Sequence, residues 1–342
     1  MVFSVDLSGT ARSTACSVGP RARSNGFKAT SQDHTGPFAN RRATLSCGME
    51  SQPLHIPVLP AEIIEWLQPQ PGQILVDGTL GGGGHTRLLA EKLQGEGYVL
   101  AVDRDPAAVA AAEINLRGLP VKVATASYIE LPDLLRELNV PAVNGIVLDL
   151  GLSSDQLADD QRGFSFHSHG ALDLRFNPEE GEPASRMLAR LRENEIADLI
   201  FQYGEERFSR RIAKQIVAAR AGQPIQTAEQ LAALVRKCVP RSNDGIDPAT
   251  RTFQALRIAV NQELKGIELA LQRLPNLLAP GGRLAIISFH SLEDRLVKEA
   301  FRSDERLKVL TKKPLTAAPA ELATNPRSRS AKLRVAERVA HG

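Results

Sequence analysis

Cysteine is scarce in this sequence. The 342-residue chain carries three, Cys16, Cys47 and Cys238, far apart and without the paired spacing of a metal-ligand set. An odd, sparse set argues against a disulfide framework and against a zinc site. Long apolar runs are missing too: none approaches the ~20 residues needed to cross a bilayer. Charge of one sign is also lacking, since 42 Lys and Arg face 39 Asp and Glu for a net +3. So small an excess neither requires nor opposes a polyanionic partner, because surface distribution matters more than the sum. With 42% hydrophobic and 24% charged residues, the composition is that of an ordinary soluble globular protein. The expectation is a soluble chain of a reducing compartment, the cytoplasm, with no metal site and no membrane contact. Its length allows one large domain with an insertion, or two domains.

Residues 1–49 differ from the rest. They are rich in Ser, Thr, Ala, Gly and Arg, lack apolar periodicity, and hold only Asp6 and Asp33 as acids. Such a stretch buries too little apolar surface to offset its ordering entropy, so disorder is expected. Two origins stand open: an Arg-rich organelle transit peptide, or a start placed upstream of a true initiator at Met49.

From His55 onward, strand and helix patterns alternate. Strands are expected at Ile74–Asp77, Tyr98–Asp103, Val121–Ala124, Ile146–Asp149 and Arg283–Ser288, with late candidates at Leu307–Leu310 and Lys332–Ala336. Short apolar runs separated by helices predict a parallel sheet covered on both faces. Asp105-Pro106 caps and opens an alanine-rich helix, another helix spans about Leu131 to Leu138, and Ser291 to Asp294 resembles a capping box. From 154 to 247 the pattern is helical only. There Arg207, Arg210, Arg211 and Lys214 share one face, and Phe208, Ile212 and Ile216 another. A long helix is expected through Phe253, Leu256, Val260, Leu264 and Ile267. The fold class is α/β, a Rossmann-like sheet formed by 50–153 and 248–342 and interrupted by a helical insertion at 154–247.

The stretch Asp77 to His85 reads DGTLGGGGH between the first strand and its helix. Glycines there let the backbone turn sharply and approach a ligand, beyond the strand carboxyl ends where open α/β sheets bind ligands. The dinucleotide spacing G-x-G-x-x-G fails, because Thr86 occupies its third place. Asp103 ends the second strand, where an acid can accept both hydrogen bonds of a ribose diol. Loop and acid together point to an adenosine ligand and leave NAD and S-adenosylmethionine undistinguished.

From about His55 to Arg338 the sequence resembles the RsmH (MraW) family of small-subunit rRNA methyltransferases. The resemblance rests on DGTLGGGGHT at 77–86, AVDRDP at 101–106, LDLGLSSDQL at 148–157, RGFSF at 162–166 and LDLRF at 172–176. Further matches are YGEERFSRRIA at 203–213, PATRTFQALRIAVNQEL at 248–264, APGGRLAIISFHSLEDR at 279–295 and NPRSRSAKLRVAER at 325–338. It implies a class I methyltransferase sheet and S-adenosyl-L-methionine as cofactor. The implied reaction is methylation of a cytidine N4 in the decoding region of 16S rRNA, within the small subunit or its precursor. By the same resemblance Gly83, Gly84 and His85 line the methionine and ribose side, and Asp103 takes the ribose hydroxyls. Tyr128, where the family often has Phe, flanks adenine, and Asp149 and Gln156 complete the pocket. Asp247 departs from a position where members commonly carry His, so no RNA contact is assigned to it.

An exocyclic cytosine amine is a poor nucleophile, and an acceptor near its N–H localises the lone pair as the new bond forms. The Pro-Pro motif of many amino methyltransferases is absent at 149–154, which counts against a DNA amino methyltransferase. Asp149, Ser288, His290 and Asp173 with Arg175 remain as polar candidates, with Phe289 able to stack on an extruded base. His290 and Asp173 are the expected base contacts, although Asp173 and Arg175 could simply pair. The 207–214 face, Arg236-Lys237 and Arg327-Ser328-Arg329 are candidate phosphate contacts and equally read as solvated surface. An NAD-linked dehydrogenase and a noncatalytic assembly factor are the competing function classes.

Overall fold

The computed structural model describes residues 56–340 apart from His167 and residues 241–244. The expectations for residues 1–49, Met49 included, lie outside the described residues. Seven strands form one sheet: β1 (Ile74–Asp77), β2 (Tyr98–Asp103), β3 (Val121–Thr125), β4 (Val143–Asp149), β5 (Leu278–Ser288), β6 (Leu307–Val309) and β7 (Lys332–Arg338). Their order is β3-β2-β1-β4-β5-β7-β6. The first five run parallel, and β7 is antiparallel to both β5 and β6. The two strands with the sharpest sequence boundaries, β1 and β2, span the expected residues. β5 instead begins at Leu278, upstream of Gly281 and Gly282, and its pairing with β4 shifts register between Val143 and Gly145.

Helices α1 (Pro60–Leu67), α2 (Gly84–Lys92) and α3 (Pro106–Asn115) cover one face of the sheet, packing with Val99, Val123 and Ile287. On the other face α4 (Leu131–Glu137) packs over Val102, Ile146 and Ile286. Burial on both sides explains why these strands are almost wholly apolar. Asp105 caps α3 as expected, its Oδ1 accepting from Ala107 N at 3.1 Å. The chain winds outward in both directions from β1, which lies between β2 and β4. This topological switch point leaves a crevice at the strands' carboxyl ends.

Between β4 and β5 come α5 (Ser154–Ala158), α6 (Ala184–Arg190), α7 (Glu193–Gly204), α8 (Ser209–Gly222), α9 (Ala228–Cys238), α10 (Thr250–Asn261) and α11 (Glu263–Arg273). Leu188, Ile200, Ile212, Ile216, Leu231, Val235 and Leu256 form a separate apolar cluster. That cluster continues past residue 247 into α10, while α11 joins the sheet through Ile267, Ala270 and Leu271.

Two expectations are corrected. The helix expected through 253–267 is broken, because Gln262 stands at φ 52° between α10 and α11. Asn261 fixes the break: its Nδ2 donates to Leu174 O at 2.7 Å, and its Oδ1 accepts from Phe176 N at 2.8 Å. After β5, α12 (Ser291–Ser303) is capped by His290 rather than Ser291, with Glu293 as the reciprocal partner. The last helix, α13 (Pro319–Thr324), precedes a 3-10 turn at Pro326–Ser330.

Candidate functional site

A cleft opens at the switch point, its space of about 820 Å³ including the open solvent at its mouth. Its floor is the loop from β1 to α2. Gly78 donates its N–H to Val147 O at 3.0 Å, and a Cβ there would fall 2.4 Å from Leu148 Cδ2, so the loop lies flush against β4. Asp77 closes the loop from beneath, accepting from Thr79 N at 3.1 Å and from Thr86 Oγ1 at 2.7 Å. Burial pushes the Asp77 carboxyl above the usual range despite the neighbouring His85. Gly83 takes φ 81° and caps α2. It packs against Leu116, so it shapes the loop, while Gly84 and His85 line the cleft.

Asp103 reaches the cleft from the end of β2. Its Oδ2 accepts from Gly81 N at 2.8 Å and its Oδ1 from Asp105 N at 2.9 Å. Burial pushes this carboxyl up to about 6 against the pull of those two bonds. Each oxygen keeps a second lone pair, which suits the side chain to a diol. Tyr128 follows β3 in a turn capped by Ser127 and Glu130. Burial raises its phenol above the ordinary value.

His85 Nε2 lies 3.6 Å from Asp149 Oδ2. Burial alone would lower the pKa of this histidine. The Asp149 carboxylate, with Asp77 and Glu321 behind it, outweighs burial and holds it above the usual value. Gln156 lines the cleft with its side chain engaged: Oε1 accepts from Ser153 N at 3.1 Å and Nε2 donates to Asp105 Oδ2 at 3.2 Å. Asp105 also receives a close bond from Arg162 Nη1. Arg162 in turn donates to the carbonyls of Arg175 and Phe176, tying the 162–176 loop to the sheet end and setting Phe176 at the cleft.

The structure brings Gly84, His85, Asp103, Tyr128, Asp149 and Gln156 together around this one cleft. It does not bring Asp173 there. Both oxygens of Asp173 accept from Arg175, Nε and Nη2 each at 2.7 Å, so this pair organises its own loop. His290 stands one residue shell back, with Nδ1 accepting from Glu293 N at 3.4 Å. Ser288 is buried and donates to Lys332 O at 3.4 Å. Residues not singled out in the sequence also line the cleft, namely Glu263 and Ile267 of α11, Glu293 of α12, and Arg104. Arg327 lines it too and donates to Leu152 O, so it belongs to the cleft wall rather than to a solvated tail. Only the capping-box pattern around Ser291 pointed toward Glu293.

An adenosyl cofactor can be tested against these groups directly. Among the described residues, seven buried side-chain atoms lack a hydrogen-bond partner. Four of them, His85 Nδ1 and Nε2, Asp149 Oδ1 and Glu293 Oε1, belong to residues lining this cleft. Unpaired buried polar atoms are costly unless a ligand or water completes them. The residues therefore fit a ligand that brings hydrogen-bonding groups to the cleft wall.

The profile of the MraW methylase family matches residues 52–339. The chain is 54% identical over 297 residues to ribosomal RNA small subunit methyltransferase H of Rhodopirellula baltica, covering 83% of this chain and 91% of that protein. It is 51% identical to the protein of the same name from Deinococcus radiodurans, covering 84% and 90%. An rRNA methylase structure from Streptococcus thermophilus is 13% identical with a TM-score of 0.39, covering 82% of this chain and 94% of that one. With a family match across almost all of the described residues and such identity over about nine-tenths of each relative, the chain belongs to the MraW methylase family, and its sheet, ordered β3-β2-β1-β4-β5-β7-β6, is Rossmann-like.

Proposed function

We propose that the chain methylates the N4 amino group of a cytidine in 16S rRNA of the small ribosomal subunit or its precursor, in the cytoplasm, using S-adenosyl-L-methionine. The observation that carries this reading is the family match over residues 52–339, to which Asp103, a carboxylate fixed at the switch point by Gly81 and Asp105, adds an anchor for a ribose. In this reading Asp103 binds the ribose hydroxyls and Tyr128 flanks adenine. Gly84, His85 and Asp149 face the methionine end, Gly83 shapes the loop, and Gln156 holds the cleft wall. When bound, S-adenosyl-L-methionine supplies an electrophilic methyl group on a sulfonium. The chain's part is to exclude water and to align the amine with that methyl, since in-line positioning supplies much of the rate.

The helical segment 154–247 serves substrate recognition in this proposal. Arg207, Arg210, Arg211, Lys214 and Lys237 are exposed on it, whereas Arg236 is engaged by Asp247 at 2.8 Å. His290 acts on the base only through Glu293, and Asp173 only by ordering the loop that carries Phe176. Expression in a bacterial host lacking this modification, followed by nucleoside mass spectrometry of small-subunit rRNA, tests the reading. Restored N4-methylcytidine is the expected result, and rRNA identical to that of the empty host would refute it.

A further inference from the structure

Glu293 has a side-chain oxygen that the fold engages only loosely, in an ion pair with His290. Its Oε2 closes the α12 cap, accepting from Phe289 N at 2.9 Å and His290 N at 3.4 Å. Its Oε1 makes no hydrogen bond among the described residues. His290 Nε2 lies 3.2 Å away but outside hydrogen-bonding geometry. The side chain is 1% exposed, and the residue lines the cleft. The neighbouring carboxylate differs. Each oxygen of Glu263 already accepts from Arg257, at 2.8 and 2.9 Å, whereas Glu293 Oε1 accepts no hydrogen bond among the described residues.

Burial alone would push the Glu293 carboxyl up. His290, Arg257 and the Phe289 N–H outweigh burial and hold it below the ordinary value. An ionised carboxylate can only accept. Its lone pair therefore selects a ligand N–H or O–H and repels a carbonyl oxygen. The ligands of the proposed function, an adenosyl group and a cytosine, share one such group, an exocyclic amine on an aromatic ring. We infer that Glu293 Oε1 accepts a hydrogen bond from the exocyclic amino group of a nucleobase held in the cleft. This inference rests on the proposed function and adds to it a residue that reads the base.

Glu293→Gln is a suitable variant, because Gln serves as well as Glu at this capping-box position. Its amide oxygen can keep the bonds from Phe289 and His290 while its NH₂ replaces Oε1, turning an acceptor into a donor. Two dissociation constants are measured by calorimetry, for S-adenosylhomocysteine and for S-inosylhomocysteine, which carries a carbonyl in place of the adenine amine. Single-turnover methyl transfer to small subunits and thermal melting complete the set. If the adenine amine is the donor, the wild type prefers the adenosyl compound by about tenfold or more, and E293Q abolishes or reverses that preference. If the cytosine amine is the donor, E293Q binds S-adenosylhomocysteine within about twofold of wild type and loses about tenfold or more in single-turnover rate. Either pattern supports the inference.

Unchanged preference and rate in E293Q would overturn it, as would a parallel loss for both compounds with a lowered melting temperature. In those cases Glu293 only caps α12. Glu293→Asp guards against a folding defect. It keeps an acceptor and must recover part of whichever readout E293Q loses, and equal loss in both variants also overturns the inference. A wild-type chain that binds neither compound removes the proposed function itself, so the two failures are distinguishable.

Discussion

Replacing Asp103 with Asn perturbs the cofactor end with little change of shape. The two carboxylate oxygens already accept from Gly81 N and Asp105 N, and each has one lone pair left for a ribose hydroxyl. In the Asn variant the amide nitrogen must face one of those backbone N–H groups, donor against donor, and one hydroxyl loses its acceptor. A hydrogen bond to a charged group is worth roughly 1.5–3 kcal/mol, so the dissociation constant for S-adenosylhomocysteine should rise about 10- to 150-fold. A second signature follows from the carboxyl lying at about 6, where burial has placed it. Donation from the diol favours the ionised form, so affinity is full above that value and weakens as pH falls through it. Binding should be about tenfold weaker near pH 5 than near pH 8. His85 also titrates at the cleft, so the diagnostic quantity is the part of the pH dependence that vanishes in D103N. Calorimetric titration of both proteins across this range measures it. An affinity in D103N within about twofold of wild type, or identical pH profiles for the two proteins, would refute the assignment of Asp103 to the ribose.

Arg162→Ala removes the counter-charge of the Asp105 carboxylate, which is 2% exposed and keeps only its bonds from Ala107 N and Gln156 Nε2. Breaking such a pair costs about 3–5 kcal/mol, so urea unfolding should show a loss of that order, and a loss below about 1 kcal/mol would contradict the structural role of the pair. Gly78→Ala places a methyl group 2.4 Å from Leu148 and 3.0 Å from Tyr128. It should destabilise by about 1–3 kcal/mol and weaken S-adenosylhomocysteine binding, and calorimetry showing unchanged affinity would contradict the tight loop. Joint replacement of Arg210, Arg211 and Lys214 by Ala should leave S-adenosylhomocysteine binding intact. Filter binding of rRNA should lose about 2 units of its log K against log [salt] slope, and an unchanged slope would remove this face from the RNA surface.

Features set by neighbouring residues were readable from the sequence. β1 and β2 were bounded by glycine and aspartate, and Asp105-Pro106 announced α3 by its own capping chemistry. The break at Gln262 was hidden, because Asn261, Gln262 and Glu263 suit the polar face of a continuous helix. What breaks it is Asn261 bonding to Leu174 and Phe176, more than 80 residues away in sequence. At α12 the stronger cap by composition is Ser291, but Glu293 accepts from Phe289 N and His290 N, which makes His290 the capping partner. Asp103 could be placed in the cleft from its strand end alone. Glu263, Glu293 and Arg327 arrive there by tertiary packing, which no local spacing records, and Asp173 is turned aside by an arginine two residues on.

The most direct test of the account is transfer of labelled methyl from S-adenosyl-L-methionine to small subunits lacking the modification, with nucleoside analysis of the labelled rRNA. The account predicts label in N4-methylcytidine, at one cytidine and approaching one methyl per subunit. Label confined to a ring carbon, a ring nitrogen or a ribose hydroxyl would contradict it, as would no label from protein that binds S-adenosylhomocysteine.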